Sequence, residues 1–271
     1  MTALKVMTFN IQEGGDGRLQ AIAELIRAQD ADCVALLEAD SLANVEALAR
    51  DLHMALTYGE ANCPSAVAWL SRLPPANSKN HRVPALSKTL LEIEVVWERA
   101  PLHLFATHLG SRWDVQQPVD EVSTILQVLG AAGGDLDVLV GDMNALRPGE
   151  HVGTPPAGEA KRGDAVDGAP RLAIGRILAA GYVDCFRRAH SRSRGFTYPA
   201  RAPWLRLDYI FVSPSLAEYL GACDVVNAPA ARRASDHLPV WATLTPPQYR
   251  RQIVKAPRLS GALCDLVGGT W

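Results

Sequence analysis

The chain has 271 residues, 48% of them hydrophobic and 21% charged, with 21 glycines and 18 prolines. That composition fits a globular protein with a large core and excludes a disordered, collagenous or small disulfide-scaffold polypeptide. Twenty-seven lysines and arginines oppose 29 acids for a formal net charge of -2, so any binding of a polyanion must be local.

Five dispersed cysteines without a CxxC pair argue against zinc ribbons and fit a reducing, cytoplasmic setting. No run reaches about 18 uncharged apolar residues, so no spanning helix is expected, and the strand-like start leaves no room for a secretory signal.

In chain order, residues 4–9 alternate as a strand, Gly14-Gly15-Asp16-Gly17 makes a turn, and 18–29 carries Leu19, Ile22, Ala23 and Ile26 at helical spacing. A buried strand at 32–38 ends in Glu38, and a second helix is expected near 42–52. Segments 66–71, 89–97 and 102–109 read as antiparallel strands, followed by a helix near 119–131 and a strand at 136–142.

The stretch 145–170 is rich in Gly, Pro and charge and reads as a long surface loop, in which His151 counts as a loop residue. A helix at 171–180, the short run 182–184, and strands at 206–213, 222–227 and 238–244 complete a domain over 1–245, with 246–271 as a tail. The pattern predicts an α/β (α+β) protein in which two mixed sheets pack face to face between helices.

Polar residues recur at the ends of these strands: Asn10, Glu38, His108, Asp142 with Asn144, Asp208, and Asp236 with His237. One such residue is an ordinary turn former, but seven can converge on one cleft. Hard oxygen donors such as Glu38 favour Mg²⁺ or Mn²⁺, whose coordination substrate phosphate oxygens complete. The lack of clustered Cys or an HxxxH pair argues against a thiolate or zincin-type site.

The ordered blocks Thr8-Phe9-Asn10-Ile11, Leu36-Leu37-Glu38, Thr107-His108-Leu109, Gly141-Asp142-Met143-Asn144, Arg206-Leu207-Asp208-Tyr209-Ile210-Phe211 and Ser235-Asp236-His237-Leu238-Pro239-Val240 resemble the endonuclease/exonuclease/phosphatase superfamily, which includes deoxyribonuclease I. The resemblance runs from residue 4 to about 244. It implies a four-layer α/β sandwich that uses a divalent metal and water to hydrolyse a phosphoester.

It also implies roles. Glu38 would be the main metal ligand, with Asn10 beside it on metal or phosphate and Asp236 next to the metal. Asp142 would deprotonate the attacking water, and Asn144 would donate to a phosphate oxygen and fix Asp142. His237, oriented by Asp208, would contact the scissile phosphate, and His108 would supply a second contact. Independently, phosphoryl transfer needs charge neutralisation and in-line positioning, which a cation with His and Asn donors provides. In RLDYIF, Asp208 shares a strand face with Ile210 and not with solvent-seeking neighbours, so it is expected to be shielded.

Within the superfamily, His108 points toward deoxyribonuclease I, sphingomyelinase and 5-phosphatase types and away from abasic-site enzymes. The segment ending Ser71-Arg72-Leu73-Pro74 lacks the tyrosine that several nucleases place before this strand; Arg72 is either a phosphate contact or half of a structural ion pair. Six arginines between Arg187 and Arg206, interleaved with Phe196, Tyr198 and Trp204 and without an acid, form the one concentrated cationic stretch. It reads either as a surface for DNA or RNA, with Arg206 among the substrate contacts, or as a solvated loop over packed aromatics. The resulting expectation is a nuclease-like phosphodiesterase acting on nucleic acid or nucleotides. The alternatives are a phosphomonoesterase or lipid or inositol head-group phosphodiesterase and, more remotely, a non-catalytic phosphate-binding module. No obligate protein partner is evident.

Overall fold

A computed structural model describes residues 3–110, 117–133, 135–156 and 170–246. Among the described residues, twelve strands form two six-stranded sheets. The first contains β1 (Leu4–Asn10), β2 (Cys33–Leu37), β3 (Ala55–Gly59), β4 (Val67–Ser71), β11 (Leu220–Val225) and β12 (Val240–Leu244), in the order β11-β12-β1-β2-β4-β3. The second contains β5 (Asn77–His81), β6 (Leu90–Trp97), β7 (Ala100–His108), β8 (Asp137–Asp142), β9 (Val183–Asp184) and β10 (Asp208–Val212), in the order β5-β6-β7-β8-β10-β9. The two sheets are built alike: each is antiparallel except for one parallel pair, β1 with β2 and β7 with β8.

Helices α1 (Leu19–Gln29) and α2 (Leu42–Leu52) cover the outer face of the first sheet, and α3 (Gln117–Ala132) and α4 (Pro170–Ala179) cover that of the second. Helix α1 buries Ile22, Ala23, Leu25 and Ile26 on one stripe and closes at Asp30 in the left-handed region. Helix α2 starts at Ser41, whose Oγ accepts from the Asn44 amide at 3.3 Å. Two short helices, α5 (Cys185–Ala189) and α6 (Ala231–Ala234), complete the described chain. The expected four-layer sandwich is the observed one, with a third apolar cluster filling the space between the sheets.

Strand alternation decides where the polar strand-end residues go. Leu4 and Val6 of β1, Leu102, Leu104 and Ala106 of β7, Val138 and Val140 of β8, and Ile210 and Val212 of β10 all belong to that central cluster. Counting on by two along each strand reaches Asn10, His108 and Asp142, and counting back from Ile210 reaches Asp208. The candidate catalytic residues therefore occupy the inward-facing rows where apolar filling stops, at one rim of the inter-sheet space. Within the second sheet His108 pairs with Asp142, and Asp142 with Asp208, so three of them stand at one level on adjacent strands. The spacing there is tight: a Cβ on Gly141 would lie 1.9 Å from the Thr107 carbonyl oxygen, so no larger residue fits beside Asp142 without displacing β7.

The sequence expectations missed β3, β5, α5 and α6, and they extended 206–213 two residues too early, since β10 starts at Asp208. The loop expected at 145–170 is described only to residue 156, and 157–169 and the tail beyond 246 lie outside the described residues.

Candidate active site

Asp142 is the hub. It ends β8, is buried, and its Oδ1 accepts the Asn144 amide at 2.9 Å in a two-residue loop that holds Asn144 at a positive φ of 42°. Its Oδ2 meets three neighbours: Asn10 Nδ2 at 3.2 Å, His108 Nε2 at 3.4 Å and His237 Nε2 at 3.6 Å. Burial, reinforced by the Asp208 charge and opposed by His237, pushes the Asp142 carboxyl up to about 6.

On one side of Asp142 lies a histidine–carboxylate dyad. His237 Nδ1 bonds Asp208 Oδ2 at 2.8 Å, and the 42° tilted ring of Tyr198 lies 4.7 Å away. Burial works against an imidazolium here, but Asp208 and Asp142 outweigh it and raise His237 to about 10. The ring is charged at neutral pH, and because Nδ1 is engaged, its Nε2 proton is left for a substrate. The backbone around the dyad is pinned: Thr197 Oγ1 accepts from the Leu207 and Asp208 amides at 3.1 and 3.3 Å, and Ser235 Oγ donates to the Asn10 carbonyl at 2.6 Å.

Across the rim, Asn10 Nδ2 also bonds Glu38 Oε1 at 3.0 Å, so one amide bridges Glu38 and Asp142. Glu38 follows β2 at a positive φ of 52°, which turns its carboxylate back to meet the Glu13 amide through Oε2 at 3.1 Å. Asp40 rises to about 6 through burial and then Glu38, and Asp236 rises for the same two reasons. Asp40 and Asp236, raised first by burial, also lie in the field of Glu38, and a hard divalent cation relieves that crowding of carboxyls. Asn10, Glu38 and Asp236, the expected ligands, fit such an ion by donor type. Among the described residues, the acid and imidazole groups whose ligand atoms all lie within 4.8 Å of one another are instead Asp142, Asp208 and His237. The 2.8 Å bond between Asp208 and His237 makes that trio a dyad facing a carboxylate.

His108 sits on the other flank. Its burial, then the nearby charges of Lys88 and His237, hold its pKa well below the usual imidazole value, so it is neutral. Asn144 Nδ2 donates both to the Leu109 carbonyl at 3.0 Å and to His108 Nε2 at 3.1 Å, which makes Nε2 the acceptor and leaves the proton on Nδ1, a buried atom with no partner among the described residues. The 3.4 Å approach of Nε2 to Asp142 is thus a contact between a neutral ring and a carboxylate.

Lys88 was not singled out from the sequence. It is 8% exposed, and although Asp142 and Glu38 favour its charge, burial lowers its pKa. It follows a turn and precedes β6 with no periodicity to flag it. The loop is fixed by Glu121 of α3, which accepts from the Ser87 and Gly110 amides, both at 3.1 Å.

Two expected substrate contacts lie elsewhere. Arg72 leaves β4 at the end away from Glu38 and pairs with Asp30 at 2.5 Å on the surface. Arg206 is 1% exposed, donates to Glu150 at 2.7 Å and to Asp184 at 2.7 and 3.1 Å, and lies 4.3 Å from the Tyr209 ring centroid. Arg187 joins the same pair of acids by its contact with Glu150. The cationic stretch is therefore part structure: Arg187 and Arg206 are internal braces and Trp204 is buried, while Arg188, Arg192, Arg194 and Arg201 face solvent. His151 is exposed in its loop. Arg206→Met should lower unfolding stability by about 3 kcal/mol or more, because it removes the buried bidentate partner of Asp184 and leaves Glu150 to Arg187 alone. Urea denaturation would show this, and a normal midpoint with a raised substrate KM would instead return Arg206 to the substrate.

No helix among the described residues is long and apolar enough to cross a membrane. No curated protein sequence matches the chain. Solved structures share the fold. An AP endonuclease from Archaeoglobus fulgidus superposes with a TM-score of 0.72 at 21% identity, covering 89% of this chain and 99% of its own. A 3′ phosphatase, NExo from Neisseria, bound to a product DNA hairpin, gives 0.73 at 20% with the same coverage. D. rerio TDP2 with a single-strand DNA product gives 0.67 at 18%, covering 91% of this chain and 100% of its own. The model of the endonuclease/exonuclease/phosphatase family matches residues 7–237, so the chain belongs to that family, whose members are metal-dependent phosphoester hydrolases.

Proposed function

We propose that this protein is a Mg²⁺- or Mn²⁺-dependent phosphodiesterase of nuclease type, in which Asp142 takes the proton of the attacking water. The observation that carries the reading is the setting of Asp142: a buried carboxylate raised to about 6, between a charged His237 and the Asn10–Glu38 bridge. A base poised near the working pH can accept a proton without being permanently protonated. His237, held by Asp208, directs its Nε2 proton to a phosphoryl oxygen, and Asn144 holds neutral His108 on the opposite side of Asp142. Lys88 is a buried amine within electrostatic reach of Asp142 and then Glu38.

Glu38, Asn10 and Asp236 would hold the metal. When bound, the cation neutralises phosphoryl oxygens and the leaving oxygen. The water oxygen bonds to phosphorus as its proton passes to Asp142, the phosphorus–oxygen bond to the leaving group breaks, the leaving oxygen takes a proton from bulk water, and Asp142 then returns its proton to solvent. The structural relatives named for DNA products and for 3′ phosphatase action support a nucleic acid substrate.

Hydrolysis of bis(p-nitrophenyl) phosphate should require Mg²⁺ or Mn²⁺, stop with EDTA and return when metal is restored. Product release from plasmid DNA, RNA, sphingomyelin and inositol phosphates then fixes the substrate. Turnover unaffected by EDTA rejects the metal-dependent mechanism, and turnover of sphingomyelin or an inositol phosphate alone rejects the nuclease.

A further inference from the structure

A cavity of about 450 Å³ opens beside the reaction centre, lined among others by Gln12, Arg18, Arg201, Arg232, Arg233 and Asp236. Its walls are continuous with the catalytic groups. Asp236 precedes His237, the neighbouring Ser235 bonds the Asn10 carbonyl, and the Gln12 amide donates to Asn10 Oδ1 at 3.0 Å. The cavity therefore borders the centre through Asp236, Ser235 and Gln12, within reach of a molecule whose scissile phosphate lies beside His237.

The charge changes sign on the way. The centre is rich in carboxylates, whereas the cavity has four arginines against the single carboxylate of Asp236. Two of the arginines are committed to the protein. Arg18 donates to the Ala234 carbonyl at 3.0 Å and to Gln12 Oε1 at 3.1 Å, which ties the 12–18 turn to α6. Arg232 donates to Asn227 Oδ1 at 2.7 Å. Arg201 and Arg233 are exposed, and no hydrogen bond or ion pair joins their side chains to a described residue. Neither neutralises Asp236, whose carboxylate lies 3.3 Å from the Ser235 hydroxyl. The guanidinium forks at the rim are available, and their planar geometry matches phosphate oxygens better than an ammonium would.

We propose that this cavity is a second phosphate subsite, formed chiefly by Arg201 and Arg233, which selects substrates carrying another phosphate beyond the one that is cleaved. The inference rests on the phosphodiesterase reading of the centre. The second phosphate comes either from the next link of a nucleic acid strand or from a small compound bearing several phosphates. Both present anionic phosphate oxygens to the arginines, a strand phosphodiester as a monoanion and a phosphomonoester as a dianion.

The test is a comparison of kcat/KM for wild type and the Arg201→Ala/Arg233→Ala double variant on three substrates: bis(p-nitrophenyl) phosphate, decathymidylate and an inositol trisphosphate. Arg27→Ala, which removes a surface ion pair with Asp51, serves as the control for loss of an arginine. The double variant should lose about 30-fold more on a multi-phosphate substrate than on bis(p-nitrophenyl) phosphate, and the loss should sit in KM. Loss on decathymidylate assigns the subsite to a strand, and loss on the inositol compound assigns it to a small molecule. Equal losses on all three substrates, or none, overturn the proposal.

Binding separates this proposal from the one beneath it. On Asp142→Asn protein, anisotropy of fluorescein-labelled decathymidylate should show a slope of log affinity against log salt that is shallower by about 0.7 for each phosphate contact removed. A wild type that hydrolyses nothing refutes the reaction centre but leaves this slope to be read. In an active enzyme, an unchanged slope together with equal kcat/KM on the inositol trisphosphate refutes the cavity alone.

Discussion

Replacing Asp142 with asparagine is expected to lower metal-dependent turnover of bis(p-nitrophenyl) phosphate by about 10³-fold, within the range usual for loss of a positioned base. The substitution is close to isosteric, and the remaining carbonyl oxygen can still accept the Asn144 amide at the Oδ1 position. What disappears is the basic site. The new NH₂ would face Asn10 Nδ2 and the His237 Nε2 proton, donors set against a donor, at positions now 3.2 and 3.6 Å from an acceptor. Circular dichroism of the variant should match wild type, because the β8 register and the core rows beneath it are untouched. A folded variant retaining more than a tenth of wild-type kcat would remove Asp142 from the role of base.

The second large effect is on the dyad. Asp208→Asn should reduce kcat by about 10²-fold or more, by analogy with other catalytic histidines that lose their carboxylate partner, and it should change His237 measurably before any substrate is added. In metal-free wild type the His237 ring should remain protonated to about pH 10, and in the variant its titration should move down toward the ordinary value near 6.5. The sign for stability follows. A histidine whose folded pKa exceeds its unfolded one binds its proton more tightly in the fold. Its contribution is complete below about 6.5 and fades as pH climbs to about 10. The stability gap between wild type and variant should therefore be widest below 6.5 and shrink in alkali. Ring NMR titrations and urea midpoints at several pH values give both readouts. A His237 that titrates normally in wild type would contradict the dyad.

Much of this site could be read from the chain before folding was considered, because period-2 alternation and a polar residue at the end of each apolar run are local features. Asn10, Glu38, His108, Asp142, Asp208 and His237 are brought to one rim by six such runs. Lys88 and Arg206 were not legible for a common reason. Each takes its meaning from partners distant in sequence: Lys88 from Glu38 and Asp142, and Arg206 from Glu150, 56 residues away, and Asp184, 22 away. At the end of the acid-free 187–206 stretch, Arg206 looked like a surface cation, and only the tertiary fold supplies the buried acids that claim it. Strand β5, with the sequence Asn-Ser-Lys-Asn-His, has no apolar alternation because it is an exposed edge that pairs only with β6. Helices α5 and α6, of five and four residues, are too short to carry a period.

The wide sequence separation of the contacts that close the rim bears on how activity appears during folding. Asn10 bonds a side chain 132 residues away, and its carbonyl is held by a hydroxyl 225 residues away. Local hairpins such as β6 with β7 can form while these ends are still apart, but the centre has no counterpart in any half of the chain. Long-range closures of this kind are the slow, entropy-limited steps of folding. Catalysis should thus behave as a clock for the last of them: on dilution from denaturant, hydrolysis should return after most of the far-ultraviolet signal, with the arrival of β12 beside β1.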